Sequence, residues 1–464
     1  MTPALWTAEE ARAATGGRLQ GRTWNAGGVS IDSRSLAPGD LFVALAGPNH
    51  DGHDHVAAAL AAGAAAALVH RIPAGLPADA PLLVVDETMA GLNALGRAAR
   101  ARSPARIVAV TGSVGKTGTK EMLRLVLSCQ GETHATAGNL NNHWGVPLSL
   151  SRMPRNARFA VFELGMNHPG EIAPLTRMVA PHVAIITAVE AVHTAFFKGT
   201  EEIADAKAEI FQGLGPDGVA IIPRDNRHFR RLLAAAGKAG VTTALSFGSH
   251  IESDARLLDC GLDSDSTAVF ALLRDHPIAY RIGVVGLHWA MNSLAVLLAA
   301  TALGADAEAA AQSLRSMAPP KGRGARRLIA VAGGTAEVID ESYNASPVSM
   351  RAAIATLAAA KPARGARRIA VLGDMLELGE RSAELHAALA ETLDAWGIDR
   401  VFTAGPLMAN LHGRLPPSRR GDHAENSSAL APLVKAAVRA GDVVMVKGSA
   451  GSRMGRVIEA LGEG

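Results

Sequence analysis

The sequence predicts an α/β protein of three domains, each built on a largely parallel sheet. Three observations carry the prediction. Short, continuous apolar runs such as Phe159–Phe162, Val183–Ile186 and Val219–Ile222 recur between helical stretches, as expected of strands covered on both faces. At 464 residues the chain exceeds what one hydrophobic core sustains. Two proline breaks, at Ser103-Pro104 and within Ala318-Pro319-Pro320-Lys321-Gly322-Arg323-Gly324, divide it into blocks 1–103, 104–317 and 318–464.

In the first block the strand-like runs are Val29-Ser30-Ile31, Asp40–Leu45 and Leu82–Val85, with an alanine-rich helix from about Asp54 to Ala62. A connecting helix follows from Met89 to Arg102, stopped by Ser103-Pro104. The stretch Asn49-His50-Asp51-Gly52-His53-Asp54-His55 suggests a metal cluster at first sight. Adjacent side chains on a turn diverge, however, and Asp54 is placed to cap the following helix, so no metal is expected there.

The second block opens with the strand Arg106-Ile107-Val108-Ala109, then Val110-Thr111-Gly112-Ser113-Val114-Gly115-Lys116-Thr117 and a helix from about Thr117. A glycine-rich turn from strand to helix offers unpaired backbone N–H groups to an anion. Gly112, Ser113, Val114, Gly115, Lys116 and Thr117 therefore form a candidate phosphate cradle, with Lys116 neutralising outer phosphates and the Thr117 hydroxyl placed for Mg²⁺. The motif is a short P-loop, because Val110 stands where the usual pattern has its first glycine. The block closes with a helix from about Trp289 to Leu303. In the third block, strands at Ile369–Leu372, Arg400–Thr403 and Val443–Val446 each run into a glycine turn, favouring a second doubly wound sheet.

Hydrophobic residues at 48% and charged residues at 19% describe a folded enzyme, and a formal charge of +3 makes no case for nucleic acid. Cys129 and Cys260 are too few for a disulfide framework and form no metal pair. The N-terminus lacks a basic start and apolar h-region, and no apolar run spans a bilayer. A cytoplasmic monomer without membrane insertion is expected.

Ligands of open parallel sheets collect at the carboxyl ends of strands. Thr117, Glu163 and His193 occupy such positions, and a carboxylate there is the natural ligand for a hard cation.

The chain resembles the ATP-dependent Mur ligases. The resemblance rests on Thr111–Thr117, on Thr136-Ala137-Gly138-Asn139-Leu140-Asn141-Asn142, and on Glu163-Leu164-Gly165-Met166-Asn167-His168. It continues in Ala206-Lys207-Ala208-Glu209-Ile210-Phe211, in Asp340-Glu341-Ser342-Tyr343-Asn344-Ala345-Ser346-Pro347, and in Leu372-Gly373-Asp374-Met375. It implies a small UDP-binding N-terminal domain, a central P-loop ATPase domain and a Rossmann-like C-terminal domain. It also implies ATP and Mg²⁺, and amide-bond formation through an acyl phosphate. Catalytic roles are implied for Lys116, His193 and Lys207, the last as a carbamate. Thr117, Glu163, His193 and carbamylated Lys207 would bind metal.

Asn292 matches an adenine-contacting asparagine, although Trp289 stands where the family has a further asparagine. Arg323 and Asp340 match positions that approach phosphate and ribose. Ser33, Arg34, Asn139, Asn141 and Asn142 match residues lining the first substrate's site. The Asp340–Pro347 segment resembles members that add D-alanyl-D-alanine to UDP-N-acetylmuramoyl-tripeptide, and the Asp-Asn-Pro-Arg signature of diaminopimelate-adding members is absent. Another Mur-type or folylpolyglutamate-type ligase, and a P-loop switch, are the competing readings. Domain closure about the two proline linkers is expected.

Overall fold

The computed structural model describes residues 4–462 except Pro48, 192–195 and Ser264. Three large sheets and one two-stranded ribbon organise the described residues.

The N-terminal sheet runs in the order Arg18–Gln20, Leu82–Val84, Ala66–Val69, Asp40–Val43, Gly28–Ser30. Its last four strands are parallel and its first is antiparallel. The stretch after Asp40–Val43 folds differently from the sequence reading. Asp51, not Asp54, supplies the cap: its carboxylate accepts from the His53 N–H ahead of a short 3₁₀ turn, Gly52–His55, which leads into the helix Val56–Ala61. The His53 ring is buried, with Nδ1 2.6 Å from Asp51 and Nε2 accepting from the His70 N–H at 3.1 Å. Both ring nitrogens are thus occupied by the fold.

The connecting helix, Thr88–Arg102, starts at Glu87, whose carboxylate accepts from Met89 and Ala90 N–H groups, and ends at Ser103 as the following proline requires. It lies against the helix Gly145–Ser151 so closely that a Cβ on Gly96 would sit 3.1 Å from Pro147. Leu148 of that helix belongs to the N-terminal core. Arg102 covers Trp6 at 3.8 Å, Trp6 Nε1 donates to the Ser151 carbonyl at 2.9 Å, and Arg155 reaches Glu10 at 2.5 Å. The first two domains are therefore fastened together by apolar packing and arginine bonds.

The central sheet has nine strands. From one edge, Thr133–Ala135, Phe159–Glu163, Arg106–Thr111, Val183–Ile186, Val219–Pro223, Thr243–Gly248 and Ala255–Leu262 run parallel. Thr267–Leu273 and His276–Ile282 then return as an antiparallel meander, which the sequence reading did not include. The P-loop strand, Arg106–Thr111, sits between two parallel neighbours. Register sets Glu163 opposite Val110 and Ile186 opposite Thr111. The carboxylate is thereby delivered to the mouth of the P-loop.

The third sheet pairs Ala325–Val331 antiparallel with Gly334–Glu341, then continues in parallel through Val443–Lys447, Arg368–Gly373, Arg400–Ala404 and Arg420–Ala424. Asp340, Glu341 and Lys447 all fall at strand carboxyl ends, where a doubly wound sheet gathers its ligands.

Candidate active site

The P-loop turn requires its glycines. Gly112 has φ +153°, and a Cβ there would lie 1.9 Å from the Thr187 hydroxyl oxygen. Gly115 caps the helix Lys116–Ser128 at φ +86°, with the Asn292 amide nitrogen 2.7 Å from where its Cβ would be. Any L-residue at either position would be strained or displaced. The Ser113 hydroxyl is used internally: it donates to the Glu190 carbonyl at 3.0 Å and accepts from the Glu190 N–H at 2.9 Å. The Val114 carbonyl accepts from the Thr187 hydroxyl at 2.6 Å. Thr117 is the second residue of that helix.

Lys116 Nζ donates to the Gly112 carbonyl at 2.8 Å, which folds its charge back over the loop. Desolvation lowers its pKa, the nearby Glu163 charge opposes that, and the Arg323 charge adds to it. Lys207, in the helix Thr200–Ala208, is 2% exposed. Burial first, and then the Lys116 charge, hold its amine well below the usual lysine range. Burial of this kind disfavours the charged ammonium and favours the nucleophilic free amine.

Glu163 is 2% exposed and its two oxygens differ. Oε1 accepts from Asn141 Nδ2 at 2.8 Å, while Oε2 is buried with no hydrogen-bond partner among the described residues. An unsatisfied buried carboxylate oxygen demands a partner, and beside a phosphate cradle a divalent cation fits that demand. Among the described residues no three His, Cys, Asp or Glu side chains converge into a metal site. A cation here would rest on Glu163, the Thr117 hydroxyl and a modified Lys207. His193 lies outside the described residues.

The asparagine loop has divided duties. Asn141 orients Glu163 as above, whereas Asn142 Oδ1 accepts from the Gly145 N–H at 2.9 Å and shapes the entry to the next helix. Asn139 accepts from the Asn141 N–H at 2.7 Å through its backbone carbonyl. In the N-terminal domain, Ser33 and Arg34 occupy the turn after Gly28–Ser30. The Arg34 guanidinium is exposed and forks onto Asp32 at 2.9 and 2.7 Å, an exposed pair that a diphosphate can displace at small cost.

The C-terminal domain faces the P-loop. Arg323 stacks on Tyr343 at 4.3 Å and lies within electrostatic reach of Lys116. The Asp340 carboxylate is 9% exposed and accepts from the Ser342 N–H and hydroxyl at 3.0 and 2.6 Å. Asn292 is buried on the helix Leu287–Ala302, and Trp289, one turn earlier, packs its ring edge on Gly118 of the P-loop helix.

Sequence reasoning missed two buried lysines. Lys120 follows Lys116 by one turn and is 1% exposed. Its spacing to Leu123 and Leu127 places it on the apolar face, a signal legible in the sequence. Lys447, 3% exposed, donates to Glu341 Oε2 at 3.2 Å and to the Asn344 carbonyl at 2.9 Å. Its clue is a charged residue directly ending an apolar strand.

A P-loop sheet held between two further α/β domains, with Arg323 of the C-terminal domain within electrostatic reach of the phosphate cradle, defines a three-domain nucleotide-using enzyme. Family models agree along the chain. Residues 25–101 match the Mur ligase family catalytic domain, 110–300 the Mur ligase middle domain, and 326–450 the Mur ligase glutamate ligase domain. The chain belongs to the Mur ligase family. It is 35% identical over 450 residues to the UDP-N-acetylmuramoyl-tripeptide–D-alanyl-D-alanine ligase of Escherichia coli, covering 96% of each chain. Its fold superposes on a MurF crystal structure from Acinetobacter baumannii with TM-score 0.85 and 31% identity, over 99% of both chains. A MurF ligase from Thermotoga maritima in complex with ADP matches with TM-score 0.78 and 28% identity, over 94% of this chain and 97% of that one.

Proposed function

We propose that this enzyme joins D-alanyl-D-alanine to UDP-N-acetylmuramoyl-tripeptide at the expense of ATP, giving the pentapeptide precursor of peptidoglycan. The observation that carries the reading is the end-to-end match to ligases of that name, at 35% identity over 96% of both chains in one case. The domain divisions 1–103, 104–317 and 318–464 belong to the same reading, with the first domain holding the UDP end of the substrate.

The chemistry follows from the charges. The tripeptide's terminal carboxylate and the ATP γ-phosphate repel each other, and the positive field of Lys116 and Arg323 offsets that repulsion. A carboxylate oxygen attacks the γ-phosphorus, ADP departs, and an acyl phosphate forms. The dipeptide's amine, freed of its proton, attacks the acyl carbon; the C–N bond forms and inorganic phosphate leaves with the C–O electron pair. Backbone N–H groups of Gly112–Gly115 hold the phosphates in line, because phosphoryl transfer needs positioning and charge neutralisation more than covalent help.

A Mg²⁺ ion held by Glu163 and Thr117 would supply further charge neutralisation at the transferred phosphate. The Lys207 amine, its uncharged form favoured by burial and by the Lys116 charge, adds to CO₂ with loss of a proton and becomes a carbamate anion. That change would give Lys116 and the metal an anionic partner at a position where a second cation is unfavourable. His193 belongs to the same group by resemblance. Asn292 and Asp340 are assigned to the adenosine moiety, and Ser33 and Arg34 to the UDP diphosphate, which an arginine fork suits.

Amine competition tests the reading. D-alanyl-D-alanine is incorporated, while glutamate, lysine and diaminopimelate are not; incorporation of one of these instead would reassign the chain to another ligase of the family.

A further inference from the structure

We propose that Lys120 is a positioning residue for the metal-binding carboxylate, acting by bolting the loop that holds Glu163 to the P-loop helix. The inference rests on the reading of Glu163 as the Mg²⁺ ligand.

Lys120 lies one turn beyond Lys116 on Lys116–Ser128, and its side chain is almost wholly buried. A buried ammonium is costly unless its donors are satisfied. Here Nζ donates to the Thr136 carbonyl at 2.9 Å and the Gly138 carbonyl at 3.2 Å, and it meets Glu121 Oε1 at 2.8 Å. The first two acceptors belong to the loop between the strand Thr133–Ala135 and the helix Gly145–Ser151. That loop grips the catalytic strand end at three points. The Thr136 hydroxyl accepts from the Glu163 N–H at 3.3 Å, Asn141 Nδ2 donates to Glu163 Oε1 at 2.8 Å, and the Asn141 carbonyl accepts from the Gly165 N–H at 2.8 Å.

A continuous path of bonds therefore runs from the phosphate-binding helix, through Lys120 and the loop, to the carboxylate. It fixes where Glu163 Oε2 points relative to the cradle. An apolar side chain of similar length would fill the space but offer nothing to the two carbonyls. The loop would then relax, Asn141 would release Oε1, and the carboxylate would lose its fixed orientation. The Lys120 ammonium is committed to the Thr136 and Gly138 carbonyls and to Glu121, so it acts through Asn141 and Glu163.

The test measures metal binding directly. Mn²⁺ is titrated into the full chain with ADP bound, and free Mn²⁺ is read by electron paramagnetic resonance. Lys120→Met is expected to weaken Mn²⁺ binding about tenfold, the low end for loss of an outer-shell partner. Asn141→Ala is expected to do the same, and the double variant to add less than about twofold, because both break one path. Should Lys120→Met not fold, Lys120→Gln keeps an uncharged N–H donor group and is expected to give a smaller weakening in the same direction. Leu127→Ala, a cavity variant on the same helix, is expected to lower Tm and leave Mn²⁺ binding in place. Unchanged Mn²⁺ affinity in the Lys120 variants, with Glu163→Gln weakened, would overturn the proposal and leave the Glu163 reading standing. Equal weakening in Leu127→Ala would also overturn it, as general loosening. Unchanged affinity in Glu163→Gln would overturn the metal reading itself.

Discussion

Gly118→Ala tests whether the nucleotide site depends on the contact between the P-loop helix and the helix that follows the antiparallel meander. A Cβ at position 118 would lie 2.8 Å from Trp289 Cζ3 and 2.9 Å from Cη2. Carbon atoms rest at about 3.5–4.0 Å, so the ring must retreat by roughly 0.7–1.2 Å. It has little room: Trp289 is 5% exposed and belongs to the same buried core as Ala290, Leu294 and Ala295. Overpacking of this kind costs about 1–3 kcal/mol, and the helix gains back no more than about 1 kcal/mol from replacing glycine with alanine. The retreat moves the first turn of Leu287–Ala302, and with it Asn292, which abuts Gly115. We expect a fall in Tm and a loss of ADP affinity of about 5–30-fold, the equivalent of about 1–2 kcal/mol. Calorimetric titration with ADP measures it. Gly118→Ala/Trp289→Leu, which removes the opposing ring, should regain most of the affinity. A lower Tm with unchanged ADP affinity would refute the coupling of Trp289 and Asn292 to the nucleotide site.

Three further outcomes follow from named contacts. Lys207→Ala should lower kcat by about a hundredfold or more, as expected for a group that supports the metal, and added bicarbonate should not restore it; full activity in a steady-state assay would sink the carbamate assignment. Asp442→Ala should destabilise the C-terminal domain by about 3 kcal/mol, the low end for breaking a buried pair, because its buried carboxylate accepts from Arg367 at 2.6 Å and from the Arg439 N–H at 2.9 Å. Denaturant unfolding showing under about 1 kcal/mol would contradict that figure. The bond to Arg155 holds the Glu10 carboxyl at about 2, below its ordinary 4.5. The latch between the first two domains is therefore fully present above about pH 4.5 and is lost as pH falls through 2. Tm curves for the native chain and Glu10→Gln should differ modestly at neutral pH, since the pair is partly exposed, and converge in acid; parallel curves would refute the latch.

The P-loop unit was legible because its signals agree: an apolar run for Arg106–Thr111, glycines where φ is positive, and a helix opening at Lys116. Glu163 was legible from its place at a strand end. The meander from Ala255 to Ile282 was not. Its outer strands, Ala255–Leu262 and His276–Ile282, are broken by charged and polar residues, and the apolar run Ala268–Leu273 between them was passed over. Arg420–Ala424 was hidden for the same reason, being a largely polar edge strand. Lysines defeat sequence reading most thoroughly, because an exposed lysine is the ordinary case. Lys207 could be singled out only through resemblance, and the structure buries it. Lys120 and Lys447 are buried because tertiary carbonyls and a carboxylate reach them from distant segments. Asn142 shows the converse, a residue singled out for a substrate whose side chain here shapes a turn.

The most direct test of the account is phosphate release from ATP and Mg²⁺ with UDP-N-acetylmuramoyl-tripeptide, measured with and without D-alanyl-D-alanine and followed by the mass of the product. Sustained release is expected only when both substrates are present, with a product heavier by the dipeptide. Sustained release with neither substrate, or turnover only with a different amine, would contradict it.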